Sequence, residues 1–390
     1  MKKITKCFIL LVLFTWVSIA SYGQENKERN TLVNLPDIPG FITLKGDFHM
    51  HTVFSDGHVW PTFRVREAQR DGLDVISITE HIDYEGFPNE LKYHREEAFR
   101  IAEERAKKTD VILIKGVEIS PRVPPYHNNA LFLENVDKLP YPYMKDTHHT
   151  FVMNDEIKRK DVMAPFEEVE KQGGFVFYNH PSYKWWDKKE KELFTDIHQE
   201  LLARKILGGV EVVNSGKYNI IAHRMAEKYD LTMFANSDEH YEIEGSYSDH
   251  RPMTLIFATE KSKSAIEEAI RDKRTMLYFG DYLVGRMREA EPFFRSSLEI
   301  TTKKITSGKA PMLKVNFTNN SDVPFDIKLE TDYIVENLPL GRLKLKANET
   351  TSVMLHPVWE YPDTLTMDLV VENILVSPEK PLETQINVDL

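Results

Sequence analysis

Short apolar runs alternate with amphipathic stretches along most of the chain from residue 41 onward. Strand-like runs lie at FITLKGDFHMH (41–51), DVISIT (74–79) and DVILIKGVEIS (110–120), with further runs at NALFLEN, GGFVFYN, GGVEVVN and LTMFANS. Helical periodicity falls between them, at about 61–72, 88–108, 164–172, 197–206 and 217–229. Strand and helix in repeated alternation predict an α/β fold, in which crossover helices join parallel strands.

The length of this alternating region favours a closed barrel. The pattern continues over roughly 240 residues, which suits a barrel of strands surrounded by helices. A doubly wound open sheet is the alternative that spacing alone leaves open.

The pattern changes near residue 290 to a simple alternation of apolar and polar positions. Examples are SLEITTKKI, MLKVNFTNN, FDIKLETD, TTSVMLHP and DTLTMDLVVEN, and turn clusters such as TSGKAP and NNSDVP separate them. Antiparallel strands with one buried face give this alternation. We therefore predict a small all-β sandwich domain over 289–390.

The first residues have the layout of a secretory signal peptide. Lys2, Lys3 and Lys6 precede the apolar run 7–20, which is short for a membrane-spanning helix, and small residues follow it. We predict a signal peptide over 1–23 and therefore export, with an uncleaved N-terminal anchor as the alternative. The segment 24–40 is polar and contains proline, and we predict a linker there.

Charge and cysteine content narrow the chemistry. The net charge of −11 argues against a stable nucleic-acid partner, which would require a basic face, but leaves a small anionic substrate open. The one cysteine, Cys7, lies in the predicted signal peptide, so imidazole and carboxylate groups would have to hold any metal ion. A mature chain without cysteine suits an oxidising compartment, and we predict the bacterial periplasm, with no membrane contact beyond the signal peptide.

Histidines and carboxylates occur at or just past the ends of the predicted strands, where barrel enzymes place their active sites. In an extended segment the two histidines of an H-x-H pair point to the same side and can hold one metal ion. Each position alone has an ordinary interpretation, such as an Asx turn at Asp56 before Gly57. Their distribution over several strand ends nevertheless predicts a shared metal site. The candidate ligands are His49, His51, Asp56, His81, Glu118, His127, His180, Asp238 and His240.

The motifs DFHMHTVFSDG, ISITEH, GVEIS, NHP and NSDEH follow one another in an order that resembles the PHP family, the polymerase and histidinol phosphatase domain. The resemblance covers roughly residues 43–285. It implies a distorted (β/α)7 TIM-like barrel, which we place at 41–288, and two or three divalent metal ions, Mn, Zn or Fe.

The resemblance also implies how the ligands divide among three metals. One would be held by His49, His51, Glu118 and Asp238, a second by Asp56, His81 and His240, and a third by Glu118, His127 and His180. Many family members have histidine where this chain has Asp56, which leaves the metal preference of the second site open. Glu211 and Asn214, which end the run GVEVVN, are expected to support the ligands.

The family's usual activity implies hydrolysis of small phosphate esters by a metal-bridging hydroxide, without a protein nucleophile. Aromatic-rich segments around 121–160 and 183–190 favour a phosphodiester over a monoester. Asp56 and His240 are candidates to protonate the leaving oxygen.

Candidates to bind the phosphate are Arg122, Lys184 and Arg251. The motif KWW (184–186) could stack a base or sugar, or cap the barrel wall. Three other functions stay open: a phosphomonoesterase of the same fold, an amidohydrolase-type enzyme cleaving C–N or C–O bonds, and a metal-stabilised binding module without activity. Amidohydrolases commonly carry a lysine at the strand end where this chain has Glu118.

Overall fold

The computed structural model describes residues 32–87, 90–91, 95–141, 158–182, 193–307, 310–336, 338–357, 360 and 363–390. The predicted signal peptide, the start of the predicted linker, Lys184 and the KWW motif lie outside these residues. Within the described part of the chain, no helix has the length and apolar character needed to cross a membrane.

The first domain alternates strands and helices as the sequence pattern predicts. Its strands are β1 Ile42–Asp47, β2 Val75–Ile78, β3 Ile112–Ile119, β4 Asn128–Leu131, β5 Phe175–Tyr178, β6 Leu207–Asn214, β7 Lys217–Tyr218, β8 Thr232–Asn236, β9 Met253–Ala258, β10 Thr275–Phe279 and β11 Tyr282–Gly285. Its described helices are α1 Pro61–Arg70, α2 Arg95–Ala106, α3 Arg159–Lys171, α4 Asp196–Ala203, α5 Ile220–Lys228, α6 Lys263–Arg271 and α7 Met287–Ser296.

The strands form a distorted barrel, which confirms the expected fold and rules out the open sheet. β1, β2 and β3 are parallel neighbours, as are β5, β6 and β8. The barrel closes where the chain beyond β8 meets the chain beyond β1: the Asp238 amide donates to the His49 carbonyl at 2.8 Å, and Met50 forms a parallel bridge with Glu239. β9 and β10 continue the sheet beyond β1 in antiparallel orientation.

The expectation of parallel strands throughout is wrong at β4, which runs antiparallel to both β3 and β5. Only residues 120–127 join β3 to β4. A parallel crossover needs a dozen or more residues, so this short connection can only turn the chain back. As a result, the beginning of β4 lies at the same end of the barrel as the carboxyl ends of its parallel neighbours.

The helix expected over 217–229 also needs correction. Residues 217–218 form the short strand β7, and α5 begins only at Ile220. The Asn219 side chain accepts hydrogen bonds from the amides of Ile221 and Ala222, and so caps the helix.

An apolar core fills the barrel beneath the polar strand ends. The rings of Phe177 and Phe234 stack with centroids 4.3 Å apart, and Phe48 packs edge-on against Phe234 at 5.8 Å. Gly209 allows this packing, because a Cβ there would lie 2.6 Å from the Phe234 ring. Phe48 directly precedes His49, so this apolar layer forms the floor of the polar site.

The second domain is the predicted antiparallel sandwich. Its strands are β12 Leu298–Ser307, β13 Ala310–Asn319, β14 Phe325–Glu330, β15 Ile334–Glu336, β16 Arg342–Leu345, β17 Thr350–His356, β18 Thr364–Ser377 and β19 Lys380–Asp389. One sheet has the order β12-β13-β17-β15, and the other pairs β16, β14, β18 and β19. Phe317 and Phe325, one from each sheet, are fully buried in the shared core.

The barrel and the sandwich share a sheet. The end of β18 pairs in parallel with β11, with Leu283 opposite Ile374 and Val284 opposite Leu375. Helix α7 joins the domains and buries Phe293 and Phe294 completely. The sandwich is therefore built onto the barrel through backbone pairing as well as through apolar packing.

The described end of the predicted linker packs on the folded body. The Asn34 amide donates to Asp322 Oδ2 at 2.6 Å, and the Asp322 amide donates back to the Asn34 carbonyl at 3.0 Å. Val33 and Ile38 are buried, and Lys45 Nζ donates to the Val33 carbonyl at 2.7 Å. These contacts fix residues 33–40 across the barrel and the sandwich.

Candidate metal centre

The barrel brings the candidate ligands together at one end. His49 and His51 follow β1, His81 follows β2, and Glu118 is the next-to-last residue of β3. His127 directly precedes β4, and the antiparallel direction of that strand places it at the same end.

Glu118 and Asp238 lie between the two histidines of the H-x-H pair. His49 Nε2 is 3.2 Å from both Glu118 Oε2 and Asp238 Oδ1. His51 Nε2 is 3.2 Å from Glu118 Oε2 and 3.3 Å from Asp238 Oδ1. Two imidazoles and two carboxylates thus face one point, as the resemblance implied.

A second group surrounds Asp56. Its Oδ2 is 3.3 Å from His81 Nε2, and its Oδ1 is 3.3 Å from His240 Nε2. His51 joins this group, because its ligand atom lies within 4.8 Å of the ligand atoms of all three. The division implied by the family resemblance assigns His51 to the first group alone, whereas the structure places it beside both groups.

Glu118 also reaches a third group through its other oxygen. Glu118 Oε1 is 2.9 Å from His127 Nδ1 and 3.9 Å from His180 Nε2. The carboxylate therefore has one oxygen beside the H-x-H pair and the other beside His127 and His180. His180 and Asp238 have positive φ angles of 25° and 52°. Such backbone angles are uncommon for residues other than glycine and often occur at functional sites.

The cluster is held together by opposite charges. Burial disfavours a charge on His49, yet Asp238, Glu211 and Glu118 raise its pKa well above the usual range. Burial also opposes ionisation of Glu118, but His81 and His49 lower its pKa well below the usual value. Buried carboxylates therefore remain ionised, which is the form that ligates a cation.

Comparisons with known proteins agree with this geometry. The PHP domain profile matches residues 47–250. The crystal structure of a two-domain protein from Bacteroides vulgatus, which contains a predicted PHP-like metal-dependent phosphoesterase, superposes with a TM-score of 0.78 at 32% identity, covering 92% of this chain and 98% of that one. The chain belongs to the PHP family.

Two further matches extend the comparison. An uncharacterised protein of Methanocaldococcus jannaschii is 28% identical over 204 residues, which are 50% of this chain and 82% of that protein. An Ig-like domain profile matches residues 298–387, in agreement with the antiparallel sandwich. The chain thus combines a PHP domain, similar to a predicted metal-dependent phosphoesterase, with an Ig-like domain.

Glu211 and Asn214 support the PHP site as the sequence predicted. Glu211 Oε1 lies 3.1 Å from His49 Nδ1, which fixes the ring so that Nε2 faces Glu118 and Asp238. Asn214 Nδ2 donates to Glu211 Oε2 at 2.9 Å and to Asp238 Oδ2 at 3.1 Å. Such contacts orient ligands and raise their basicity.

Other supporting residues of the PHP site were missed, although each lies within two residues of a ligand in the sequence. Ser120 Oγ is 2.7 Å from His81 Nδ1 and donates to Asp83 Oδ1. Asn179 Nδ2 donates to Glu118 Oε1 at 3.0 Å. Polar side chains within two residues of the strand-end ligands were the available signal.

Arg64 was also missed, because no motif marks it. This buried guanidinium donates from Nε to the His51 carbonyl at 2.9 Å and from Nη2 to the Glu239 carbonyl at 2.7 Å. Its Nη1 pairs with Glu67 Oε2 and donates to the Tyr241 carbonyl, both at 2.7 Å. Arg64 thereby joins α1 to the loop after β1 and to the loop after β8, both of which carry ligands.

A tight loop presents Asp56. The amides of Ser55 and Gly57 both donate to the Thr52 carbonyl, at 3.0 and 2.9 Å. The chain folds back so closely that a Cβ on Gly57 would lie 2.6 Å from the His51 carbonyl carbon. Glycine is therefore required after Asp56, and the loop is more than an ordinary surface turn.

The predicted phosphate-binding residues have different outcomes. The prediction that Arg251 binds phosphate is wrong, because this side chain is buried and no substrate can reach it. Its Nη1 lies 3.1 Å from Asp47 Oδ2, and its Nη2 lies 3.0 Å from Asp71 Oδ2. Arg122 lies two residues beyond Ser120, is partly exposed, and stays a prediction. Lys184 lies outside the described residues.

Proposed function

We propose that this PHP chain hydrolyses phosphodiesters, using two or three divalent metal ions held by the predicted ligands. The observation that carries the proposal is the position of Glu118, a buried carboxylate whose two oxygens face separate groups of histidines. A carboxylate in that position can bridge two cations, as two-metal phosphoesterases require.

The side chains fit divalent cations. His51 Nε2 and Asp56 Oδ1 are buried atoms without a hydrogen-bond partner among the described residues. A buried polar atom that lacks a partner costs stability. A cation between His51, Glu118 and Asp238 would be a partner for His51 Nε2. Imidazole mixed with carboxylate suits Mn, Fe or Zn.

The cluster has a closed and an open side. His49 and His51 are fully buried, whereas the side chains of Asp56 and His240 are 34% and 30% exposed. When bound, divalent cations at such a site lower the pKa of a water molecule and neutralise charge on the phosphate. If only the two sites that share Glu118 are filled, Asp56 and His240, 3.3 Å apart at the open side, can hold a proton and deliver it to the leaving oxygen.

Two different surfaces flank the open side, which supports a substrate with two ester groups. Tyr241, 62% exposed, stacks on the His58 ring at 4.4 Å beside His240. Trp60, 44% exposed, packs against Phe54, which precedes Asp56 by two residues. A pocket with a mixed polar and apolar lining adjoins His180 on another side. A diester has one substituent for each surface, whereas a monoester has one in total.

We also propose that the chain is exported to the periplasm and acts there on small phosphate esters, with neither a nucleic-acid nor a membrane partner. The support is the layout of residues 1–23 and the net charge of −11. Mass spectrometry of the protein from a periplasmic extract should find an N-terminus near Gln24. A full-length chain in the cytoplasm would contradict this.

The decisive experiment combines metal analysis with a substrate panel. The purified protein should contain two or three equivalents of Mn, Fe or Zn. It should hydrolyse bis(p-nitrophenyl) phosphate faster than p-nitrophenyl phosphate, and leave p-nitrophenyl acetate and p-nitroanilides intact. Removal of His81 by H81A should release at least one metal equivalent and abolish most of the turnover.

The matched control is H356A, which removes a histidine of the sandwich that pairs with Glu336. It should retain full metal content and activity. A metal-loaded protein that cleaves none of the phosphate esters would refute the proposed function. Faster cleavage of the amides would instead identify an amidohydrolase, and faster cleavage of the monoester would overturn the diester preference.

A further inference from the structure

The pocket that adjoins His180 has a volume of about 470 Å³ and opens beside the metal centre. His180 and Pro181 form one wall, and the end of β6 with Asn214 forms the next. The turn at Lys217 and the first residues of α5 complete it. Because His180 Nε2 is 3.9 Å from Glu118 Oε1 and from Asp238 Oδ2, a group bound in the pocket lies next to the cluster.

The pocket is shaped in advance by its own hydrogen bonds. The Asn219 side chain caps α5 with its oxygen and donates from Nδ2 to Pro181 and to Ser182 Oγ. Ser215 Oγ lies 3.0 Å from Asn214 Oδ1 and 3.1 Å from the Ser237 carbonyl, and the two acceptors share its one hydrogen. A ligand would therefore meet an ordered wall and would lose little affinity to rearrangement.

The charges around the pocket favour a neutral ligand over a second anion. At the start of α5, the amides of Ile221 and Ala222 already donate to the Asn219 side chain, so these two cannot bind an anion. The Glu211 carboxylate lies on the wall, opposite in charge to Lys217. Lys217 is exposed, so water and salt screen its positive charge, while its ammonium group can still donate hydrogen bonds to the hydroxyls of a ligand.

The remaining lining mixes hydroxyl and amide groups with the aliphatic side chains of Ile220 and Ile221. Polyols and sugars present hydroxyls together with C–H surfaces, which match such a wall. We propose that this pocket binds one alcohol-derived substituent of the ester and prefers a polyhydroxylated one to a flat aromatic ring. The inference rests on the proposed phosphodiesterase function and adds the class of substituent.

A pair of chromogenic diesters tests the pocket: glyceryl p-nitrophenyl phosphate and phenyl p-nitrophenyl phosphate, which share a leaving group. The wild-type enzyme should prefer the glyceryl ester in kcat/KM. K217L should raise KM for the glyceryl ester about fivefold by removing a donor to its hydroxyls, and leave the phenyl ester within about twofold. I221W, which fills the pocket, should cause a larger rise for the glyceryl ester.

The control is K263L, which changes another exposed lysine, on α6 and outside the pocket. It should leave both esters unchanged. Cleavage of neither ester by the metal-loaded enzyme would refute the proposed function itself. Cleavage of both esters, with K217L and I221W altering them equally or not at all, would refute the pocket assignment alone.

Discussion

Replacement of Arg64 by methionine should destabilise the fold and loosen the metal centre together. The side chain is 1% exposed and pairs with the equally buried Glu67 at 2.7 Å. Its other donors satisfy the carbonyls of His51, Glu239 and Tyr241. Methionine has a similar length and no charge, so R64M leaves Glu67 as an uncompensated buried anion and three carbonyls with one donor fewer.

The expected loss follows from the cost of removing one partner of a buried ion pair, which is about 3–5 kcal/mol. Urea denaturation followed by circular dichroism measures it as a lower midpoint with an unchanged slope. Because the loops after β1 and β8 lose their common anchor, metal affinity should also fall by about tenfold, as competition with a chelator would show.

Two variants make the comparison specific. The double variant R64M/E67M removes both charges and should recover part of the lost stability, since an apolar pair costs less than a lone buried charge. The control R66M changes an exposed arginine of the same helix that lies over the Phe63 ring at 5.0 Å, and should shift stability by less than about 0.5 kcal/mol. If R64M matched R66M in both stability and metal affinity, the anchoring role would be refuted.

Three further predictions concern single groups. S120A should weaken metal binding by about tenfold while S120T restores it, because the hydroxyl between His81 and Asp83 orients the ring; chelator competition measures both. Neighbouring carboxylates overcome the effect of burial and raise the pKa of His81 to about 9 in the metal-free protein. Metal binding at pH 7 should therefore release protons, and metal affinity should increase as the pH rises toward 9. Calorimetric titrations in buffers of different ionisation enthalpy measure the proton release. Titrations that show none would contradict this prediction. Burial lowers the pKa of His198 from 6.5 to about 3. As the pH falls below 6.5, this histidine is therefore protonated in the unfolded chain before it is protonated in the folded one. The free energy of unfolding should then drop by about 1.4 kcal/mol per pH unit down to pH 3. H198Q, which keeps the capping pattern with Thr195, should flatten that dependence in denaturation curves recorded at several pH values, and an unchanged slope would exclude His198 as its source.

The strand-end ligands could be found from sequence because a barrel converts position along the chain into position in space. Once β1, β2 and β3 were recognised as parallel strands, their carboxyl ends had to meet, and His49, His81 and Glu118 had to meet with them. The same rule explains why the supporting role of Glu211 could be predicted, since this residue faces inward near the end of β6. Local periodicity and one topological rule were sufficient for these residues.

Pairings between distant segments could not be found in this way. Arg251 follows a motif that carries ligands, so its neighbourhood suggested phosphate binding, yet it lies 204 residues from Asp47, which neutralises it. Sequence proximity to a ligand says nothing about which way a long side chain turns. The direction of β4 was missed for a related reason, since short apolar strands look alike in parallel and antiparallel pairing.

The contrast between Arg64 and Arg251 shows how the open end of this barrel is built. Both arginines are buried near the ligands, and both are consumed by structural partners: Arg64 by Glu67 and loop carbonyls, Arg251 by Asp47 and Asp71. Their positive charge is neutralised within the wall, so it cannot offset the carboxylates of the centre. Imidazolium groups alone balance the ionised carboxylates when no cation is bound, and bound cations would take over that balance as the imidazoles lose their protons. A phosphate group would then be attracted by the cations themselves.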